Sequence, residues 1–310
     1  MRLTRLATSI LIAALALGGV THWRASAREA SSLAAYPPTG SFVLVDGRRL
    51  HYEMSGDGPD LVLIHGASGS LRDLTFALRD RLTDRFRVTV VDRPGLGHSA
   101  PLPEVSLAAQ ARAIKAGLAQ IGVTDPILVG QSYGGAVALA WALQGGPRAL
   151  VLVGSPSMPW PGKLDPWYRL TSTTVGRALA VPLASAFVPQ SYVSAATAGV
   201  FAPDPVPTGY VDWLGTPLIL RRETLATNTA QINALRAELV TMEQRYPTLS
   251  LPVELIHGTA DTIVPLAIHS GPLSALLPNV TLTVIDGAGH MPHHTHTDTV
   301  IAAIDRAALR

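Results

Sequence analysis

Six short, nearly unbroken apolar runs recur along the chain, at residues 61–65, 88–92, 127–129, 150–153, 253–257 and 282–285. A strand with one wet face alternates polar and apolar residues, whereas a strand buried on both faces reads as a continuous Val/Ile/Leu run. Helical patterns lie between the runs. Ser106 stands where an N-cap is wanted, Leu107, Ala111, Ile114, Leu118 and Ile121 recur at spacings of three and four, and Gly122 closes that helix. Strand and helix in alternation predict an α/β protein: a mainly parallel open sheet with helices on both faces. An opening hairpin, residues 42–45 and 49–54 around Asp46-Gly47, precedes the series.

One interval breaks the rhythm. Residues 157–247 offer no clear strand–helix pair, and so long a stretch is not a structureless loop in a compact protein. They are expected to form an inserted helical cap that divides the core into residues 40–156 and 248–310. A second small domain packing its own aromatics is the plainer reading of the same residues. Trp160, Trp167, Tyr168 and Trp213 lie in this interval with few charges nearby, and they are expected to line a binding pocket for an apolar group.

Composition narrows the classes. Hydrophobic residues make up 47% and charged residues 15%, the balance of a packed globular protein. The net charge is +2, with the basic residues scattered, so no nucleic-acid partner is expected. The absence of cysteine removes disulfides, thiolate metal sites and a cysteine nucleophile. At the N-terminus, Arg2 and Arg5 precede the charge-free residues 6–20, and Ala-Ser-Ala follows at 25–27. Basic start, apolar run and small residues before a cut after Ala27 describe an export signal. Residues 1–27 are therefore expected to be a signal peptide or, uncleaved, a membrane anchor of an exported protein. Fifteen charge-free residues are short for a spanning helix, which needs about 20.

The chemistry-bearing candidates begin at GQSYGG, residues 130–135. Here G-x-S-x-G sits between a buried strand and a helical pattern, so Ser132 is either a nucleophile lifted on a sharp turn or an ordinary helix cap. HGASGS (65–70), DRPGLGHS (92–99), HGTAD (257–261) and GAGHMPH (287–293) each stand at a strand end. With these five motifs in this order, the chain resembles the α/β-hydrolase family from about residue 42 onward. The resemblance implies Ser132 as nucleophile, Asp261 as acid and His290 as base, with the backbone N–H groups of Ala67 and Tyr133 as the oxyanion hole.

Each of these residues has rivals. Asp286 and Asp298 compete with Asp261, and Asp261 itself suits a cap for a helix after Pro265. His293, His294 and His296 compete with His290, and the run HMPHHTH has the composition of a metal site, although no acidic residue completes one in sequence. Asp92 and Arg93 are expected to form a structural ion pair or cap at a strand end. Members of the family it resembles that open epoxides or remove halide carry aspartate at the turn, so the resemblance, with serine there, implies a carbonyl substrate and an acyl-enzyme. The expected activity is hydrolysis of a carboxylic ester of an apolar small molecule, with no cofactor and no metal. Carbon–carbon bond hydrolysis, lactonase, perhydrolase and aminopeptidase activities are alternatives with the same residues, and a non-catalytic ligand binder is the contrasting class.

Overall fold

The computed structural model describes residues 2–310. A helix, α1 (Arg2–Ala35), leads into a hairpin of β1 (Ser41–Val45) and β2 (Arg48–Ser55). Asp46 (φ 50°) and Gly47 (φ 74°) make its two-residue turn, in the left-handed region that such a hairpin needs. Next come β3 (Asp60–Ile64), α2 (Leu71–Ala77), β4 (Arg87–Val91), α3 (Leu107–Gln120), β5 (Ile127–Gln131), α4 (Tyr133–Ala142) and β6 (Ala149–Val153). Five helices follow without a strand: α5 (Pro166–Thr171), α6 (Thr174–Phe187), α7 (Gln190–Phe201), α8 (Tyr210–Leu214) and α9 (Arg222–Glu243). The chain then returns to β7 (Val253–Gly258), α10 (Ser270–Leu276), β8 (Val280–Ile285), α11 (Pro292–Thr295) and α12 (Thr297–Ala308).

The eight strands form one sheet in the order β1-β2-β4-β3-β5-β6-β7-β8, antiparallel at β1–β2 and β2–β4 and parallel from β4 to β8. Each apolar run of the sequence supplies one parallel strand. Alternate residues feed opposite layers, because side chains switch faces with period two. Val62, Ile64, Leu128, Leu150 and Leu152 pack with α3 and α4, while Leu61, Leu63, Ile127, Val151 and Val153 pack with Leu71 and Leu74 of α2 and Val300 and Ile304 of α12. Both faces of β3–β7 are dry, which is why those runs show no polar alternation; β8, at the sheet edge, departs from the expectation, being only half-buried with Val284 in the open. Helix α3 starts as its sequence requires: the Ser106 hydroxyl accepts from Ala109 N at 3.1 Å, and Gly122 turns the chain away at φ 82°.

Helix α1 differs from the short apolar run expected there. It continues unbroken to Ala35, and it is long and apolar enough to cross a membrane. Residues 4–20 are exposed throughout, whereas Thr21, Ala25 and Ser32 are buried and the helix packs along α6.

Candidate active site

Between β5 and α4 the backbone makes an abrupt turn at Ser132, with φ 49° and ψ −126°. A residue with a side chain is strained there, by about 1–3 kcal/mol. The turn is held by Ser132 N donating to Val153 O at 2.8 Å and by Gly135 N donating to Ser132 O at 2.9 Å. It also requires glycine on either side: a Cβ at position 130 would lie 2.4 Å from Gly135 Cα, and one at position 134 would lie 2.1 Å from the Ile64 carbonyl oxygen. The Ser132 side chain makes no capping bond to α4. It faces His290 Nε2 at 3.0 Å instead, so the helix-cap reading of this serine fails.

His290 is presented by the turn after β8, where Gly287 takes φ 72°. Its Nδ1 lies 2.7 Å from Asp261 Oδ2. Asp261 follows β7, and its other oxygen accepts from the N–H groups of Ile263 and Val264 at 2.9 and 2.8 Å. Burial alone would raise the Asp261 carboxyl, but hydrogen bonds from His257, His290 and the backbone outweigh it and hold the group below the ordinary carboxylate range. The rivals go elsewhere. Asp286 accepts from Thr259 in an exposed turn, and Asp298 pairs with Arg81 at the surface. His293 and His294 face Asp73, and His296 faces Thr295.

The backbone of Ala67 reaches the same place from the end of β3, and Ala67, Ser132 and His290 border one cavity. His65, two residues earlier, donates from Nδ1 to Gly66 O at 2.8 Å and accepts at Nε2 from Arg93 N at 3.0 Å, so its tautomer is fixed.

The sequence pattern of the alpha/beta hydrolase family matches residues 61–303. The chain belongs to the alpha/beta hydrolase family. Over 87% of its length it is 30% identical to an uncharacterized protein of Mycobacterium tuberculosis, of which it covers 81%. It is 29% identical over 81% of its length to the pimeloyl-[acyl-carrier protein] methyl ester esterase of Vibrio vulnificus, covering 94% of that enzyme. Among solved structures, an alpha/beta hydrolase fold protein from Burkholderia ambifaria superposes with a TM-score of 0.70 at 26% identity, over 85% of this chain and 96% of the other.

The cavity of this hydrolase holds about 640 Å³ and is walled mainly by the inserted helices. Trp167 and Tyr168 of α5 line it, together with Val188, Tyr192, Val193 and Phe201. Trp160 and Trp213, expected in the pocket, are not there. Trp160 packs beside His269, and Trp213 donates from its indole to Arg72 O at 2.9 Å on the outside of the molecule. Aromatic composition marked the right interval, but contacts set by the helix directions decide which rings turn inward.

Two features escaped sequence reasoning. Arg93 forms no ion pair with Asp92, and among the described residues it has no carboxylate partner. Asp92 caps turns, accepting from Leu71 N and His98 N, and meets His51. Arg93 is wholly buried and donates to His65 O, Gly66 O, Gln110 and Gln231 at 2.7–3.0 Å, with its guanidinium 4.3 Å from the Tyr133 ring centroid. Burial lowers its pKa to about 10, which leaves it charged at neutral pH. The second feature is Asp73, which joins His293 and His294 and accepts from Tyr210 Oη at 2.7 Å. The acidic partner missing from the HMPHHTH run thus comes from α2, far away in sequence. Burial alone would raise the Asp73 carboxyl, but the two imidazoles more than offset it and hold it well below its usual range.

Arg93→Gln is expected to lower kcat by about 10–100-fold with a smaller change in KM, because the carbonyls of residues 65 and 66 lose the charged donors that fix the adjoining Ala67 N–H. Steady-state kinetics on a soluble ester checks this, and an unchanged kcat contradicts it. His65 and His293 are both held down to about pKa 4, by burial first and then by Arg93 and His294 respectively, against 6.5 in the unfolded chain. Both are neutral when folded and take up protons on unfolding. Their contribution to stability is complete above pH 6.5 and is lost as pH falls towards 4. The melting temperature should therefore drop steadily between pH 7 and pH 4.5, and a flat scanning-calorimetry profile in that window would refute the assignment.

Proposed function

We propose that this hydrolase cleaves a carboxylic ester, or a related acyl bond, of an apolar molecule through Ser132, His290 and Asp261, with α5–α9 as its cap. The observation that carries the reading is the continuous relay from Ser132 Oγ to His290 to Asp261, opening onto a largely apolar cavity. A serine hydroxyl is a weak nucleophile until a base takes its proton. His290 Nε2 accepts that proton as Oγ attacks the ester carbonyl. Asp261 keeps the proton of His290 on Nδ1 and stabilises the imidazolium that forms. The N–H groups of Ala67 and Tyr133 hold the oxyanion, each worth about 2.7–4 kcal/mol where such donors have been removed. His290 then gives its proton to the leaving alcohol, and an acyl-enzyme remains on Ser132. Water, deprotonated by His290, attacks the acyl carbonyl, and the proton returns to Ser132 as the acid departs. The esterase named among the relatives supports an ester substrate, and the scarcity of charge around the cavity supports an apolar acyl or alcohol part.

Independently of the chemistry, we infer from the N-terminal segment that the protein is exported and held at the membrane by an uncleaved α1. Arg24, before the Ala27 cut, donates to Ala186 O at 2.7 Å, and Arg28, after it, donates to Val188 O at 2.8 Å. Cleavage would sever one helix that grips the cap on both sides of the cut.

Ser132→Ala should lower ester turnover by about 10³-fold or more. A serine-directed phosphonate should add to the parent chain at Ser132 and not to the variant. Undiminished turnover by the variant, or labelling elsewhere, would remove the catalytic assignment. Intact-mass analysis of exported protein should find residues 1–27 still attached, and a chain starting at Arg28 would overturn the anchor.

A further inference from the structure

Helix α1 changes character within a few residues. Between Arg5 and Arg24 lie 18 residues without Asp, Glu, Lys or Arg, and everything from Thr4 to Val20 is exposed. From Thr21 the same unbroken helix docks on the body. The exposed stretch and the charge-free stretch are nearly the same residues. At 1.5 Å per residue the 18 span about 27 Å, close to the roughly 30 Å hydrocarbon core of a bilayer. Trp23, 70% exposed, stands at its end, where an indole suits the interface.

This fixes the depth of the cap. Thr21 is buried against the body although it lies only three residues before Arg24. A bilayer that holds residues 6–23 therefore has the docked surface in its interfacial layer. That surface is α6. On α6, Val175, Leu179, Leu183 and Phe187 recur every four residues on one outward face, all exposed, with the Arg24 guanidinium 5.4 Å from the Phe187 ring centroid. An exposed apolar stripe of this length is unusual on a protein meant only for water. The other sides of α6 are used differently: Val181, Ser185 and Ala186 are buried, and Ala184 lines the cavity beside Ser132. Tyr192 of α7 borders that cavity and is also 69% exposed, so it stands at the mouth.

We propose that the outer face of α6 rests in the bilayer that holds α1, and that the cavity receives a bilayer-resident long-chain acyl ester through the mouth at Tyr192. The substrate half rests on the ester-hydrolase reading, whereas the contact half does not. The two anchoring arginines, Arg24 and Arg28, stand at headgroup depth, where they favour anionic lipid. Lateral uptake of an acyl chain would leave its carbonyl to travel only the thickness of one helix layer to reach Ser132.

The chain has no cysteine, so one introduced thiol can be labelled specifically. Full-length Leu179→Cys carrying a nitrobenzoxadiazole dye would be reconstituted in phosphatidylcholine–phosphatidylglycerol vesicles containing a shallow nitroxide lipid. Leu44→Cys, exposed on the edge strand β1, is the control. Quenching about threefold stronger at 179 than at 44 is expected for a helix lying in the interface. Equal quenching overturns the contact, as does self-transfer between labels at 179 without lipid quenching, which would assign the stripe to a second copy of the chain. In the same vesicles, the full-length double variant Leu179→Asp with Leu183→Asp should hydrolyse an embedded phospholipid with a fluorogenic acyl chain about tenfold more slowly, while a soluble butyrate ester is turned over within about twofold of the parent rate. Equal phospholipid turnover by parent and variant overturns the uptake route. A parent that cleaves the butyrate ester and not the phospholipid overturns the substrate class. A parent that cleaves neither removes the ester-hydrolase reading, and the quenching comparison still decides the membrane contact.

Discussion

The strained turn at Ser132 is the constraint around which the sheet is arranged. A backbone with φ 49° and ψ −126° at a residue with a Cβ persists only where its surroundings over-determine it. Here they do so from both sides: β6 supplies the Val153 carbonyl that accepts from Ser132 N, and β3 brings the Ile64 carbonyl to within 2.1 Å of where a Cβ on residue 134 would stand. Both neighbours run parallel to β5, so both carbonyls lie at the same end of the sheet. An edge strand could supply only one of them. The central position of β5 is thus a requirement of the turn, and it puts the loops after β3, β7 and β8 within reach of one hydroxyl.

A second constraint is a buried cation. Arg93 has no carboxylate to neutralise it among the described residues, and taking a guanidinium out of water is costly unless its N–H groups are satisfied. Two backbone carbonyls, two glutamine oxygens and the Tyr133 ring do this together. The acceptors come from four places: the loop after β3, α3, α9 of the cap, and the first residue of α4. A charge that needs all of them makes their relative positions depend on one another. That matters because two of these places carry the candidate oxyanion donors. Replacing the cation by a neutral group would leave the oxygens buried and the loop free to shift by the fraction of an ångström on which oxyanion binding depends.

What was legible in the sequence follows from how local each signal is. Parallel strands announce themselves because double burial removes polar alternation over four or five adjacent residues, and the hairpin turn needs only Asp46 and Gly47. The serine turn is legible because its glycines are adjacent in sequence as well as in space. Arg93 was misjudged because its neighbour Asp92 offered a pairing that the strand end does not permit: successive residues point to opposite sides, and one went to the turns at α2 and His98 while the other went inward. Asp73 was invisible for a related reason. Its partners His293 and His294 lie some 220 residues away, and no spacing rule connects α2 to α11. Trp160 and Trp213 show the limit of composition, which locates an aromatic-rich interval without saying which way each ring faces.

The cap is tied to the core close to the candidate active site. Asn228 of α9 exchanges two hydrogen bonds with Ser68, Asp204 accepts from Gly289 N beside His290, and Tyr210 of α8 donates to Asp73. The bonds at Ser68 and Gly289 join the cap to the loops that carry Ala67 and His290, and the Tyr210 bond joins it to α2, so a rigid swing of the whole cap would disturb Ala67 and His290 together. Opening by that route would dismantle the site at the moment of binding. Helices α6 and α7 are placed differently. They meet at a sharp bend of 103°, their outer faces carry Leu179, Leu183 and Tyr192 in the open, and their inner faces line the cavity. A small separation of these two helices would widen the cavity while leaving the bonds at Ser68, Gly289 and Asp73 intact. The part of the cap free to yield is therefore the part on which α1 packs, so the N-terminal helix bears on a wall of the cavity.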